Sequence, residues 1–246
     1  YLTALGTAVR EALTESLHLF AKHKILKLVD FEGDLEIELH PERRLRLDMY
    51  KNAALHFILD ESLVALVVSK SGATAETPLS RSELLDKVLF LSKLWKLEFV
   101  YPTAHGFEYN VDEATKGLRD AGMIVVDDEG AVSIRDGASE HASWLASNLA
   151  NFVESYVFVL RQVKRLSRSV SSVSDGVRVL MKTAHAELLE GNIQRHESLS
   201  TGTFKNALDW LAGENILLIE PKSVTLIPTQ VKRLDEILKQ LETYGS

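Results

Sequence analysis

The sequence contains no cysteine among its 246 residues. This absence excludes disulfides, zinc–thiolate sites and a cysteine nucleophile, and it fits a reducing compartment. Proline is scarce as well, at five residues, and the formal net charge is −7 at pH 7. Because nucleic-acid binders normally carry a basic balance, the acidic charge argues against that class, and we expect no nucleic-acid partner.

Long hydrophobic runs are also missing. The most apolar stretch, residues 53–68, is interrupted by Asp60 and Glu61, whereas a membrane-spanning helix needs about 20 mostly apolar residues. We therefore expect a buried core helix at this place and no transmembrane segment. No secretory signal is recognisable. Since the chain starts at Tyr1 inside a helical pattern, we expect it to be part of a longer protein.

The motifs that most directly indicate catalysis are absent. The sequence has no G-x-S-x-G, no H-E-x-x-H and no P-loop, and no two histidines are four positions apart, as a helical zinc site requires. His56 and Asp60 would share a face on one helix and could hydrogen-bond there, or they could form a structural pair in a bundle seam. We expect no catalytic residue, no metal site and no cofactor in this chain.

The sequence does contain many amphipathic helical patterns, interrupted by short pairs of strands. The helices are predicted at residues 2–24, 45–69, 80–99, 139–166, 177–189, 203–211 and 228–241, and a short one, capped by Asn110 or Asp112, ends at Ala121. Ser80 and Glu83 form a capping box at the start of the third helix. Tight turns predict three hairpins, with strands near residues 25–29 and 35–39, 124–127 and 132–134, and 216–220 and 224–227.

Each hairpin follows a helix, an order that resembles the helix-plus-wing part of a winged-helix module. We predict a mainly α fold with small β-hairpins (α+β), arranged as a helical bundle with winged-helix-like modules. We place a helical and hairpin subdomain at residues 1–110 and a winged-helix-like subdomain at residues 111–246.

Two basic clusters are candidate sites for phosphate or lipid headgroups. The first consists of Arg43, Arg44, Arg46 and Lys51. Guanidinium groups offer two parallel donors to a phosphate, although this cluster could also balance neighbouring glutamates. The second consists of Arg161, Lys164, Arg165 and Arg168. Its cations stand near a helix C-terminus and complement the helix dipole; the functional interpretation is contact with anionic lipid headgroups.

Five segments, in order, resemble one protein family. They cover residues 45–68, 79–102, 117–134, 151–163 and 197–217. The matching positions in the first segment are Tyr50, Asn52, His56, Ser62, Leu63 and Ala65; those in the last are Glu197, Ser198, Ser200, Lys205, Asn206 and Ala207. Together the segments resemble the C-terminal region of the glycerol-3-phosphate acyltransferases.

The resemblance implies a non-catalytic domain that packs on an upstream acyltransferase domain. In this family the upstream domain carries His-x-x-x-x-Asp, in which the histidine takes the proton of the acceptor hydroxyl and the aspartate orients it. None of the eight histidines here has aspartate at that spacing. The resemblance also implies that the family-motif residues Tyr50, Asn52, His56, Ser62, Lys205 and Asn206 are structural.

The full enzyme would transfer an acyl group from acyl-CoA or acyl carrier protein to position 1 of glycerol 3-phosphate and release lysophosphatidate. Such an enzyme works at a membrane surface, so we expect a peripheral position on the cytoplasmic face, with possible contact to anionic lipid. The alternatives are a winged-helix protein-interaction scaffold and a nucleic-acid-binding regulator. The acidic turn Asp127-Asp128-Glu129 opposes the last of these, because it would repel phosphates.

Overall fold

The computed structural model describes residues 13–31, 34–39, 51, 55–101, 104–166 and 170–245. The chain divides into two compact units, residues 1–54 and 55–246. The boundary that the sequence predicts at residue 110 stays a prediction.

The first unit contains a helix over residues 13–22 and an antiparallel hairpin. The hairpin consists of β1 (Lys27–Phe31) and β2 (Asp34–Glu38). Lys27 lies opposite Glu38 in the register, and their side chains form an exposed ion pair at 3.0 Å. Opposite charges across a strand pair favour this register.

The second unit is built around α1 (Leu59–Ser71), whose residues 62–68 are all buried. This helix packs against α2 (Arg81–Leu94), α3 (Phe107–Asp120) and α4 (Ser139–Ser147). A helix that is apolar on every side is stable only when other elements surround it, as these do. It ends at Gly72, whose φ of +68° is the left-handed conformation that glycine adopts without a steric penalty.

The predicted capping box starts α2. The Ser80 hydroxyl accepts a hydrogen bond from the Glu83 amide at 3.3 Å, and the Glu83 carboxylate accepts one from the Ser80 amide at 3.2 Å. Both amides belong to the free N-terminal donors of a helix.

A second group of helices surrounds α5 (Ala150–Leu166), which packs on α4 and so joins the two groups in one core. The group consists of α6 (Val173–Leu189), α7 (Thr201–Gly213) and α8 (Val231–Glu242). The single helix predicted over residues 139–166 is interrupted between α4 and α5. At the interruption, Ser147 donates to the Trp144 carbonyl at 2.7 Å and Asn148 donates to the Leu145 carbonyl at 2.9 Å. These side chains compete with backbone amides for the carbonyls.

Two hairpins follow helices of the second unit, as predicted. One consists of β3 (Ile124–Val126) and β4 (Val132–Ile134), after α3; the other consists of β5 (Leu217–Glu220) and β6 (Ser223–Leu226), after α7. All three hairpins in the described residues are antiparallel two-stranded sheets. The predicted fold class, mainly α with small β-hairpins, is confirmed.

Candidate functional site

The turn over residues 95–101, directly after α2, is held by side chains from two other helices. Asn206 of α7 donates to the Leu97 carbonyl at 3.0 Å. Trp210 of the same helix donates through Nε1 to the Lys93 carbonyl at 2.8 Å, and so satisfies a C-terminal carbonyl of α2. The 95–101 turn is therefore fixed to α7, although more than one hundred residues separate them in sequence.

A buried polar cluster, formed by Tyr156 and Glu98, also holds the 95–101 turn. Tyr156 of α5 is fully buried, and its hydroxyl donates to the Glu98 carboxylate at 3.0 Å. Burial raises the pKa of Glu98, and hydrogen bonds from Asn206, Tyr156 and Thr203 partly offset the rise. Burial also raises the pKa of Tyr156, and the charge of Glu98 raises it further. This phenol therefore remains a hydrogen-bond donor throughout the neutral range.

The outer face of the 95–101 turn is apolar and exposed. Val100 is 90% exposed and Leu97 is 45% exposed, while Trp95 at the base of the turn is fully buried. Phe57, in the short 3-10 turn Leu55–Phe57 before α1, is 77% exposed. Burial raises the pKa of Tyr101, and the charge of Asp60 at the start of α1 raises it further, so the start of α1 lies close to this turn. Exposed apolar side chains grouped in this way are typical of contact surfaces.

The Glu-x-Tyr centre at residues 154–156, part of the segment over residues 151–163, also has a structural role. Glu154 accepts hydrogen bonds from the backbone amides of Gln194 at 2.8 Å and Arg195 at 3.2 Å, and from the Ser198 hydroxyl. Ser155 donates to the Ser198 carbonyl at 2.7 Å. These bonds fix the connection between α6 and α7 to α5.

The second basic cluster lies between α5 and α8. Arg161 contacts Glu242 with Nη2 and Oε1 2.8 Å apart, and Lys164 contacts Asp235 with Nζ and Oδ1 2.7 Å apart. Arg165 lies on the same helix, and Arg168 is outside the described residues. Two of the cations therefore bridge helices. Lipid contact by this cluster stays a prediction.

Of the first basic cluster, only Lys51 belongs to the described residues. Its backbone is helical and the residue is half-buried. Arg43, Arg44 and Arg46 lie outside the described residues. Phosphate binding by this cluster likewise stays a prediction.

His56 and Asp60 do not share one helix. His56 belongs to the 3-10 turn, its ring lies 3.9 Å from the ring of Phe57 between centroids, and α1 begins only at Leu59. Burial raises the pKa of Asp60, and the neighbouring charge of Glu61 raises it further. Among the described residues no hydrogen bond joins His56 to Asp60, and the hydrogen-bonded pair that the helical spacing suggested is therefore not formed.

Three other residues of the matching segments are buried, cap a helix or form an ion pair within a helix. Ser62 is fully buried in α1, Ser200 caps α7 by accepting from the Thr203 amide, and Lys205 pairs with Asp209 one helical turn away. Tyr50 and Asn52 lie outside the described residues. In the described ranges, no three His, Asp or Glu side chains are placed to hold a metal ion. Every helix found there also falls short of the length and hydrophobicity that a bilayer crossing requires.

The comparison with protein families extends over most of the chain. The family described as the glycerol-3-phosphate acyltransferase C-terminal region matches residues 3–220. This chain belongs to that family. No curated protein matches the sequence. The match to this acyltransferase C-terminal region ends at residue 220, before β6 and α8, and it includes the 95–101 turn and the side chains of α5 and α7 that hold it.

Sequence reasoning did not predict the roles of Glu98 and Glu154 in this acyltransferase region. Glu154 and Tyr156 stand in a segment that the resemblance singled out, and their spacing was the available signal. On a helix, positions two apart point to different sides. That geometry lets Glu154 hold the α6–α7 connection while Tyr156 holds the 95–101 turn.

Proposed function

We propose that this chain is the support domain of a glycerol-3-phosphate 1-O-acyltransferase, which packs on the catalytic region and stabilises it. The observation that carries the proposal is the 95–101 turn, where exposed Leu97 and Val100 stand on backbone held by α5 and α7. A contact surface that is already ordered loses little conformational entropy on binding, so more of its interaction energy appears as affinity.

The chemistry would belong to the catalytic region. The sequence has no His-x-x-x-x-Asp, so its histidines lack the orienting aspartate that the family's proton transfer uses. The whole enzyme would transfer an acyl group from acyl-CoA or acyl carrier protein to glycerol 3-phosphate, giving lysophosphatidate for phospholipid synthesis. We further propose that it works in peripheral contact with a membrane, and that its helix-plus-hairpin units act as winged-helix-like packing modules.

The test measures lysophosphatidate formation from glycerol 3-phosphate and acyl-CoA by three samples: this chain, the catalytic region, and both together. We expect activity only in the mixture, or activity far above that of the catalytic region alone. Turnover by this chain alone, or a mixture no more active than the catalytic region, would contradict the proposal.

A surface variant tests the contact itself. Leu97→Ser combined with Val100→Ser should weaken association with the catalytic region by at least about tenfold, because two apolar anchors are lost. Leu189→Ser is the matched control, since Leu189 is 89% exposed on α6 and outside the turn. If the control weakens association as much as the double variant, the 95–101 turn is not the contact.

A further inference from the structure

A cavity of about 120 Å³ lies beside the C-terminal end of α1, away from the 95–101 turn. Residues from α1, α4, the α6–α7 connection and the segment after α8 line it. Ligand pockets that bury a drug-sized molecule measure about 300–1,000 Å³. This cavity is therefore suited to a small group rather than to a whole cofactor.

The charged lining of the cavity is entirely basic. Lys70 and Arg195 contribute to the wall, and no Asp or Glu does so within the described part of the chain. Lys70 is exposed and forms no ion pair with another described residue. The guanidinium of Arg195 reaches Glu154 only at 3.9 Å, between Nη1 and Oε1.

The backbone of Arg195 is nevertheless fixed. Its amide donates to Glu154, whose carboxylate also holds the Gln194 amide and the Ser198 hydroxyl. The side chain thus extends from an anchored position, and among the described residues its charged end pairs only with Glu154, at 3.9 Å. Such an arginine can turn its planar fork toward an anion without disturbing the chain around it.

Four residues with hydroxyl groups also line the cavity: Ser69, Ser143, Ser147 and Tyr244. The Ser69 hydroxyl is buried and has no hydrogen-bond partner among the described residues, which is costly for a polar group. The Ser147 hydroxyl already donates to the Trp144 carbonyl and therefore offers a ligand no donor. Hydroxyl donors beside two cations match a ligand with several acceptor oxygens.

A neighbouring cavity differs from this one in the charge of its lining. It shares Arg195 but is also lined by Glu154, Glu242 and Arg161, so its charges balance, and Arg161 is already paired with Glu242. Of these two cavities, only the one lined by Lys70 therefore has an excess of positive charge.

We propose that the cavity between α1 and α4 binds a phosphate monoester through Lys70 and Arg195. A phosphate monoester carries a charge of about −1.5 to −2 at neutral pH and three acceptor oxygens, so two cations and neighbouring hydroxyls satisfy it. The phosphate could belong to a soluble ester or to a lipid headgroup, and both present this chemistry.

The test is a titration of the full chain with inorganic phosphate, followed by amide chemical shifts at neutral pH and about 150 mM salt, where distant surface charges are screened. We expect saturable shifts around Lys70, Arg195 and Ser143. Lys70→Gln and Arg195→Gln should each weaken binding about tenfold, and the double variant should abolish it. Lys182→Gln and Arg178→Gln, which change exposed cations outside the cavity, should leave binding unchanged.

Two further titrations identify the source of the phosphate. Glycerol 3-phosphate represents a soluble ester, and phosphatidylcholine vesicles containing phosphatidate represent a headgroup. Binding of either one that is lost in the double variant supports the proposal. It is overturned if neither these probes nor phosphate distinguishes the chain from its double variant, or if vesicles alone bind and phosphatidylserine vesicles bind as well as phosphatidate vesicles. None of these readouts depends on acyl transfer.

Discussion

Replacing Tyr156 by phenylalanine tests whether the buried polar cluster holds the 95–101 turn. The substitution removes one hydroxyl and leaves the ring, so no cavity forms in the core. What is lost is the hydrogen bond from the phenol to the Glu98 carboxylate, 3.0 Å long and partly buried. Hydrogen bonds to charged groups contribute about 1.5–3 kcal/mol, and bonds between neutral groups about 0.5–1.5 kcal/mol. We expect the free energy of unfolding to fall by about 1.5–3 kcal/mol near pH 8.

The effect should depend on pH, because Glu98 titrates. Its folded pKa is raised above the ordinary value of 4.5, so its contribution to stability is fully present below about pH 4.5 and is lost as the pH rises through the folded pKa. Removing the Tyr156 donor raises that folded pKa further and extends the loss to higher pH. Near pH 4 the carboxyl is protonated, and the variant should cost only about 0.5–1.5 kcal/mol.

Urea unfolding of the wild type and the variant at several values between pH 4 and pH 8 measures this difference. Tyr244→Phe is the control, since Tyr244 is also buried but has no carboxylate partner among the described residues. The reasoning is refuted if Tyr156→Phe costs the same at both ends of the range, or if the control shows the same pH dependence.

Two further predictions concern the other structural contacts. Glu154→Gln should lower the free energy of unfolding by about 2–3 kcal/mol in urea, because the amide group of the new glutamine faces backbone donors. Glu187→Gln is the control: the Glu187 side chain accepts a hydrogen bond from the exposed Asn192, and this change should cost less than about 1 kcal/mol. A double-mutant cycle of Lys164→Gln and Asp235→Asn should give a coupling of about 0.2–1 kcal/mol that shrinks in 1 M salt; a coupling that is absent at low salt would contradict the ion pair.

The elements that the sequence predicts well are those set by local chemistry. The capping box at Ser80 and Glu83 needs only two side chains and the free amides between them, and it forms as predicted. The hairpins between residues 124 and 134 and between 217 and 226 likewise follow from turn residues and strand-forming residues within a few positions.

The elements that the sequence does not predict depend on competition or on distant partners. Residues 139–166 show one helical periodicity, yet Ser147 and Asn148 take carbonyls from the helix and divide it. Glu98 and Tyr156 are 58 positions apart, and Asn206 and Leu97 are 109 apart, so no local pattern connects them. The basic residues Arg161 and Lys164 suggested a lipid surface, whereas their carboxylate partners on α8 appear only once the helices pack.

The two proposed surfaces lie at opposite ends of α1. The apolar surface stands near the start of this helix, since the charge of Asp60 acts on Tyr101 of the turn, and the basic cavity takes Ser69 and Lys70 from its last turn. At 1.5 Å per residue, Asp60 and Lys70 are roughly 15 Å apart along the axis. Substitutions at that separation normally act additively. Changing Leu97 and Val100 should therefore leave phosphate binding intact, and changing Lys70 and Arg195 should leave association with the catalytic region intact. A measured dependence between the two would point to α5, because Glu154 of this helix anchors the backbone of Arg195 and Tyr156 holds the 95–101 turn.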